Sequence, residues 1–325
     1  MGSQPPTDRL LAALDADDEA DALAALERCR DADVDARKGV LRALRDRAKT
    51  APKTLEPLVS DLTAFLIDDD RTVRLTAAKL FAALAATDPA RVRPVVSALA
   101  ERLVDPDEFR YVRGRSAETL GHVACEYPTD AATPDVIADL FLGLDDASDT
   151  EITEKFALAI ECVTLGDPSR LRHHAGRLAD HLDADADLVR YHLCTALTAV
   201  ACEHPDAVAE SRDTLGDALY DDIPWVRARA AETIGLLARP TDDDTLSDAL
   251  DALRDDDPFV AARARFALND RDEPDADDLG TVAGLHRTTV DAAEEVTAPD
   301  GECPNCGLAL PEAGPPMCPR CGAPH

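Results

Sequence analysis

Apolar positions along this chain recur in blocks, each with helical spacing. An acidic turn leads into an apolar residue, commonly followed by Arg, and then into small apolar residues. The blocks read DVDARKGVLRAL, DDDRTVRLTAAKLFAAL, DEFRYVRGRSAETLGHVA, SDTEITEKFALAIECV, DADLVRYHLCTALTAVA, DIPWVRARAAETIGLLA and DDPFVAARARFAL. Their apolar anchors are Ala36, Val73, Val112, Ile152, Val189, Val226 and Val260, at intervals of 37, 39, 40, 37, 37 and 34 residues. Each anchor starts an amphipathic stripe: Val226, Ala230, Ile234 and Leu237 share a face, as do Val73, Ala77, Leu80, Phe81 and Leu84. The acidic residues ahead of the anchors suit helix N-caps and complement the helix dipole.

A second helix is predicted between successive anchors. Leu55, Leu58, Val59, Leu62, Phe65 and Leu66 form one stripe. Val95, Val96, Leu99, Leu103 and Val104 form another, and Val136, Ile137, Leu140, Phe141 and Leu144 a third. Pro and Asp fill the breaks, as in ATDPARVRP and CEHPDAV, stopping one helix and capping the next. The unit is then a pair of helices of about 12–15 residues each. One pair cannot bury both its faces, whereas stacked pairs share a continuous core. The expected fold is all-α: a right-handed α-solenoid of about seven helix pairs.

On motifs such as DDIPWVRARAAETIGLLA and DDDRTVRLTAAKLFAAL, the chain resembles HEAT-repeat proteins over roughly residues 7–270. It is most similar to their short phycobilin-lyase-like branch. The resemblance implies a HEAT-like solenoid and little about function, because this architecture hosts many unrelated roles. The pattern fails after Asn269. The expected division is a solenoid over 1–270, an acidic linker over 271–301 with a helix near Leu279–Val296, and a separate module over 302–325.

Composition narrows this picture. Aromatics are 4% of 325 residues, and Ala, Leu, Arg and Glu favour closely packed helices over sheet. The net charge is −31, with only 5 Lys beside 29 Arg. That balance argues against nucleic acid as a partner, since broad nucleic-acid binding needs a basic face. Dense Asp with scarce Lys resembles proteins of haloarchaea, whose salt shortens the Debye length to about 3 Å and weakens carboxylate repulsion. The start lacks the basic and apolar regions of a signal peptide, Pro6 stands where a myristoylation site needs Ser or Thr, and no stretch reaches membrane-spanning length. A cytoplasmic protein without membrane contact is expected. Nine Cys, five of them inside apolar helix faces, suit a reducing compartment.

The other four Cys read CPNCG, ten residues, CPRCG. Each C-P-x-C-G loop turns two thiolates toward one ion. Cys303, Cys306, Cys318 and Cys321 therefore form a candidate closed four-cysteine site for one structural Zn2+. A zinc ribbon of about 24 residues has almost no core, so the metal must supply its folding free energy. Rubredoxin-like iron is the alternative metal. The ribbon is either a structural clip or a docking module, and its single Arg320 without Lys favours a protein partner.

The Arg after each anchor recurs as Arg37, Arg74, Arg113, Arg190 and Arg227, with Thr153 and Ala261 in repeats four and seven. Such a ladder either grips an anionic partner or, as the HEAT resemblance implies, bridges acids of the adjacent repeat. Tyr111, Tyr191 and Trp225 stand close to anchors and are candidate partner contacts, or inter-repeat filler. His122, His173, His174, His181, His192 and His204 are scattered, and Cys125 and Cys202 share one repeat position. Catalysis would need such groups to converge. No His-Glu dipeptide of the hydroxylase-like HEAT branch occurs, and no phosphate loop, G-x-S-x-G or H-E-x-x-H. The leading expectation is a non-catalytic scaffold that binds a protein along its concave face, with the ribbon as a second contact. A bilin-lyase-like or hydroxylase-like enzyme and a nucleic-acid factor acting through the ribbon are the alternatives.

Overall fold

The computed structural model describes residues 6–146, 149–237, 244–269 and 278–295, and the structural statements below concern these. All regular structure among them is helical. Each anchor opens a helix: α1 (Val34–Thr50), α2 (Arg71–Thr87), α3 (Arg110–Glu126), α4 (Thr150–Gly166), α5 (Asp187–Glu203), α6 (Pro224–Leu236) and α7 (Pro258–Ala267). Val73, Val112, Val226 and Val260 are fully buried, while Ala36 is half-buried. Acidic N-capping is narrower than the sequence suggests. Asp33, Asp70 and Asp257 accept backbone N–H bonds at the starts of α1, α2 and α7. Phe109, Ala186 and Ile223 hold the cap position of α3, α5 and α6, and their side chains make no cap bond.

The first five anchor helices end alike. Ala51, Asp88, Tyr127, Asp167 and His204 each leave the helix with φ between −129° and −159°, and each is followed by Pro. Proline forces its predecessor out of the helical region, so the chain turns at the same point in these five repeats. A short helical segment then begins at that Pro, as in Pro89–Val92, Pro128–Ala131 and Pro205–Val208.

The partner helices depart from the predicted 12–15 residues. The stripe from Leu55 to Leu66 is split into a 3-10 helix Pro52–Leu58, a single turn Val59–Leu62 and a second 3-10 helix Thr63–Ile67. Pro57 lies inside the first of these. Lacking an N–H and crowding the carbonyl one turn back, it interrupts the α-helical ladder. Val96–Val104 is likewise shortened by Pro94 in the 3-10 turn before it, whereas Pro134–Asp145 runs unbroken. The stripes are buried except at half-buried Val96 and exposed Val104, so the apolar pattern reports burial well and helix length less so.

The chain falls into two compact units, Met1–Asp167 and Pro168–His325. In the first, α1, α2, α3 and α4 stack side by side. In the second, α5, α6 and α7 do the same. Gly121 lets α3 approach α4: a Cβ there would stand 2.6 Å from the backbone of Ala159. The predicted linker helix is α8 (Val282–Glu295), and it packs on α5 within the second unit. No helix among the described residues is long and apolar enough to cross a membrane.

Candidate partner-binding face

The arginine ladder joins neighbouring repeats. Arg37 pairs with Asp68 at 3.0 Å, Arg74 with Glu108 at 2.9 Å, Arg190 with Asp221 at 2.6 Å and Arg227 with Asp256 at 2.8 Å. Each also donates to a backbone carbonyl just before its own helix, namely Ala32, Asp68, Ala184 and Asp221. One guanidinium thus fixes the incoming loop and the next repeat together. Arg113 differs: it donates to the Leu103 carbonyl at 3.0 Å, while Tyr111 and Arg110 take Asp149 at 2.8 and 2.9 Å. Trp225 is half-buried against Phe259 of the next repeat, with ring centroids 4.1 Å apart. Tyr191 is 1% exposed. The ladder and the aromatics are therefore occupied by contacts within their own units.

A different set of side chains forms the face that the ladder does not. Counting from each anchor, positions three, six and ten share a second stripe beside the apolar one, at 100° per residue. In the first unit these are Gly39, Arg42 and Asp46 on α1, Thr76, Lys79 and Ala83 on α2, Arg115, Glu118 and His122 on α3, and Lys155, Leu158 and Cys162 on α4. Arg115 binds Glu118 at 2.8 Å and Glu151 at 3.3 Å, and Lys155 reaches Glu118 at 3.3 Å. Burial alone would raise the Glu118 pKa, but Lys155, Arg115 and His122 outweigh it and bring the carboxyl down to about 2. Burial holds His122 below the ordinary imidazole value, with Glu118 opposing. Lys79 is half-buried and makes no hydrogen bond or ion pair among the described residues. Burial, then repulsion from Arg115 and Arg45, lowers its pKa, with Glu151 and Glu118 opposing.

The second unit repeats the arrangement with its face covered. Glu232, 1% exposed, accepts from Arg229 at 2.8 Å and Arg263 at 2.9 Å. Its other oxygen accepts the Gly280 N–H at 2.9 Å. The Arg229 guanidinium donates to the Thr288 hydroxyl of α8 at 2.7 Å. Arg263 lies over the Phe259 ring at 3.3 Å, and burial lowers its pKa to about 10. Gly280 has φ +70°, and a Cβ on it would meet Leu236 and Phe266 at 2.8 Å. Leu285 of α8 is fully buried. Segment 278–289 thus lies on the stripe positions of α6 and α7.

These triads stand in the sequence as R-x-x-E at fixed offsets, in RGRSAETLGHV and RARAAETIGLL, beside the more regular Arg one position after the anchor. A hydrogen bond with Cys125 and burial push Cys162 well up, and burial brings Cys194 and Cys202 to about 12. His204 meets Ser169 at 2.8 Å and His173 accepts from Arg172 at 3.1 Å. Among the described residues no three His, Cys, Asp or Glu side chains converge as metal ligands. Cys303, Cys306, Cys318 and Cys321 lie outside the described residues.

No protein-family model and no curated protein matches the chain. Among solved structures 217 chains match. An engineered protein matches with TM-score 0.56 and 18% identity, covering 65% of this chain and 95% of its own. A designed armadillo repeat protein matches with TM-score 0.57 and 18% identity, covering 66% and 98%. Another, in complex with the peptide (KR)4, gives 0.55, 18%, 73% and 100%. The fold is that of armadillo-like helical repeats.

Proposed function

We propose that the protein is a non-catalytic scaffold that binds a protein segment across the stripe face of its anchor helices. One observation carries the reading: the segment from Gly280 into α8 already lies on that face in the second unit, held by the Gly280 N–H to Glu232, the Thr288 hydroxyl to Arg229 and buried Leu285. A face that accepts one helical segment through contacts of this kind suits another. A designed repeat protein of similar fold is described as bound to a peptide, which is in keeping with this reading. The armadillo-like fold is compatible with the HEAT-like, phycobilin-lyase-like resemblance and adds no activity to it.

The C-terminal Cys303, Cys306, Cys318 and Cys321 hold one Zn2+ as a ribbon that serves as a second contact or a clip; this rests on their spacing. Metal analysis giving one zinc per chain, lost in a Cys318→Ser, Cys321→Ser variant, supports it, and a metal-free full chain removes it. The acid-rich composition belongs to a salt-rich cytoplasm. A circular dichroism signal unchanged by dilution to tens of millimolar salt would contradict that setting.

The scaffold itself is tested by affinity capture of the full chain from a high-salt lysate, followed by cross-linking mass spectrometry. A stoichiometric partner cross-linked near Lys79 and Lys155 is the expected result. Absence of any partner, or cross-links confined to other surfaces, overturns the reading.

A further inference from the structure

The first unit carries the same cation, carboxylate, cation set as the second, without a segment over it among the described residues. Arg115, Glu118 and Lys155 match Arg229, Glu232 and Arg263 position for position. Their side chains are 14%, 11% and 15% exposed, against 0%, 1% and 4% in the second unit. The charge around them also differs. The second triad sets two arginines against Glu232, and the Thr288 hydroxyl of α8 with the Gly280 N–H ahead of that helix completes it. The first adds Lys79 and Arg42 on the stripe of the neighbouring helices, and neither makes an ion pair or hydrogen bond among the described residues. Arg45 next to them has only a 3.9 Å approach to Asp46. Against these cations stand Glu118 and Glu151, both already bound to Arg115, and exposed Asp46 on the α1 stripe.

We infer that the stripe of α1–α4 is a docking site for an acidic amphipathic helix of a partner protein. The occupant lies as α8 lies against α5 and over Arg229 of α6, with a buried leucine, and places carboxylates on Lys79, Arg42 and Arg115. The inference rests on the scaffold reading and specifies its partner. The molecule's net charge of −31 does not oppose it at contact range. In the salt-rich setting proposed above, charges beyond about 3 Å are largely screened, so only the side chains that touch the ligand decide its sign. An arriving carboxylate also relieves the crowding of Lys79 by Arg115 and Arg45.

The test uses the full-length protein and three synthetic helical peptides. They share one leucine stripe and carry Glu, Gln or Lys at the flanking positions, and binding is read by fluorescence anisotropy. The Glu peptide is expected to bind about tenfold tighter than the Gln peptide, with the Lys peptide weakest. Lys79→Glu and Arg42→Glu remove no hydrogen bond or ion pair of the fold, so both variants retain their structure, checked by circular dichroism. Each is expected to weaken the Glu peptide about tenfold. Lys53→Glu, at an exposed lysine in the turn after α1, serves as the control and leaves affinity unchanged. Tighter binding of the Lys peptide, or equal effects of Lys53→Glu and Lys79→Glu, overturns the inference. If the Glu peptide fails while a captured partner still cross-links to the stripe, the acidic-helix inference falls and the scaffold reading stands.

Discussion

Arg115, Glu118 and Lys155 in the first unit and Arg229, Glu232 and Arg263 in the second grow from nearly the same local sequence, yet they sit at different depths. In both, a Glu six residues after the anchor binds an Arg on its own helix and a cation on the next. The second triad is sealed because a turn at Gly280 brings a backbone N–H against the carboxylate and α8 follows it over Arg229. Depth here comes from what the chain lays over the motif, and the motif itself is indifferent to it. A buried ion pair of this sort is costly to assemble and more costly to break.

The sharpest way to break the comparison is to neutralise the two carboxylates in parallel. Glu232→Gln leaves two buried arginines without their anion and is expected to cost roughly 3–5 kcal/mol in denaturant unfolding. Equal losses at Glu118 and Glu232 would mean that the cover contributes nothing. Gly280→Ala tests the cover directly. It combines an unfavourable positive φ with clashes against Leu236 and Phe266, and about 1–3 kcal/mol should be lost. Hydrogen exchange should accelerate at α6 and leave α3 unchanged. Glu118→Gln should cost less, about 1–2 kcal/mol, because water reaches part of that site.

Acid titration separates the triads by a different route. The Glu118 carboxyl lies at about 2 in the folded chain against an ordinary 4.5. Its folded pKa is depressed, so its stabilisation is complete above about pH 4.5 and is lost as pH falls toward 2. Glu118→Gln should flatten the acid limb of the melting curve over that window; an unchanged limb would show that other carboxylates dominate. The smallest effect is expected at Lys79→Ala. Removing a crowded, unpaired cation should move stability by no more than about 0.5 kcal/mol in either direction.

The repeat period and its anchors were legible because burial imposes the same apolar residue at the same helical position. Val73, Val112, Val189, Val226 and Val260 each open an anchor helix and are buried there. Partner-helix length was not legible, since Leu55 to Leu66 keeps its stripe through 3-10 and α turns alike and only Pro57 marks the break. The bridging role of Arg37, Arg74, Arg190 and Arg227 followed from acids standing just before the next anchor. Arg113 shows the limit of that argument, because Tyr111 and Arg110 claim Asp149 instead. The cover over Glu232 was out of reach of pattern alone. Gly280 lies 48 residues away in a stretch without repeat character, and one backbone amide makes the contact.

Lys79 carries a consequence of its own. An amine whose pKa is pulled down is free to be acylated at lower pH than an ordinary lysine, while the burial that lowers it also slows the reagent's approach. The chain has only five lysines, so its acylation pattern resolves into a few peptides by mass spectrometry. The rate at Lys79, compared with that at exposed Lys53, turns the unmodified protein into its own footprinting reagent. Whatever settles on α2 and α3 will register there as protection, without a label or a mutation.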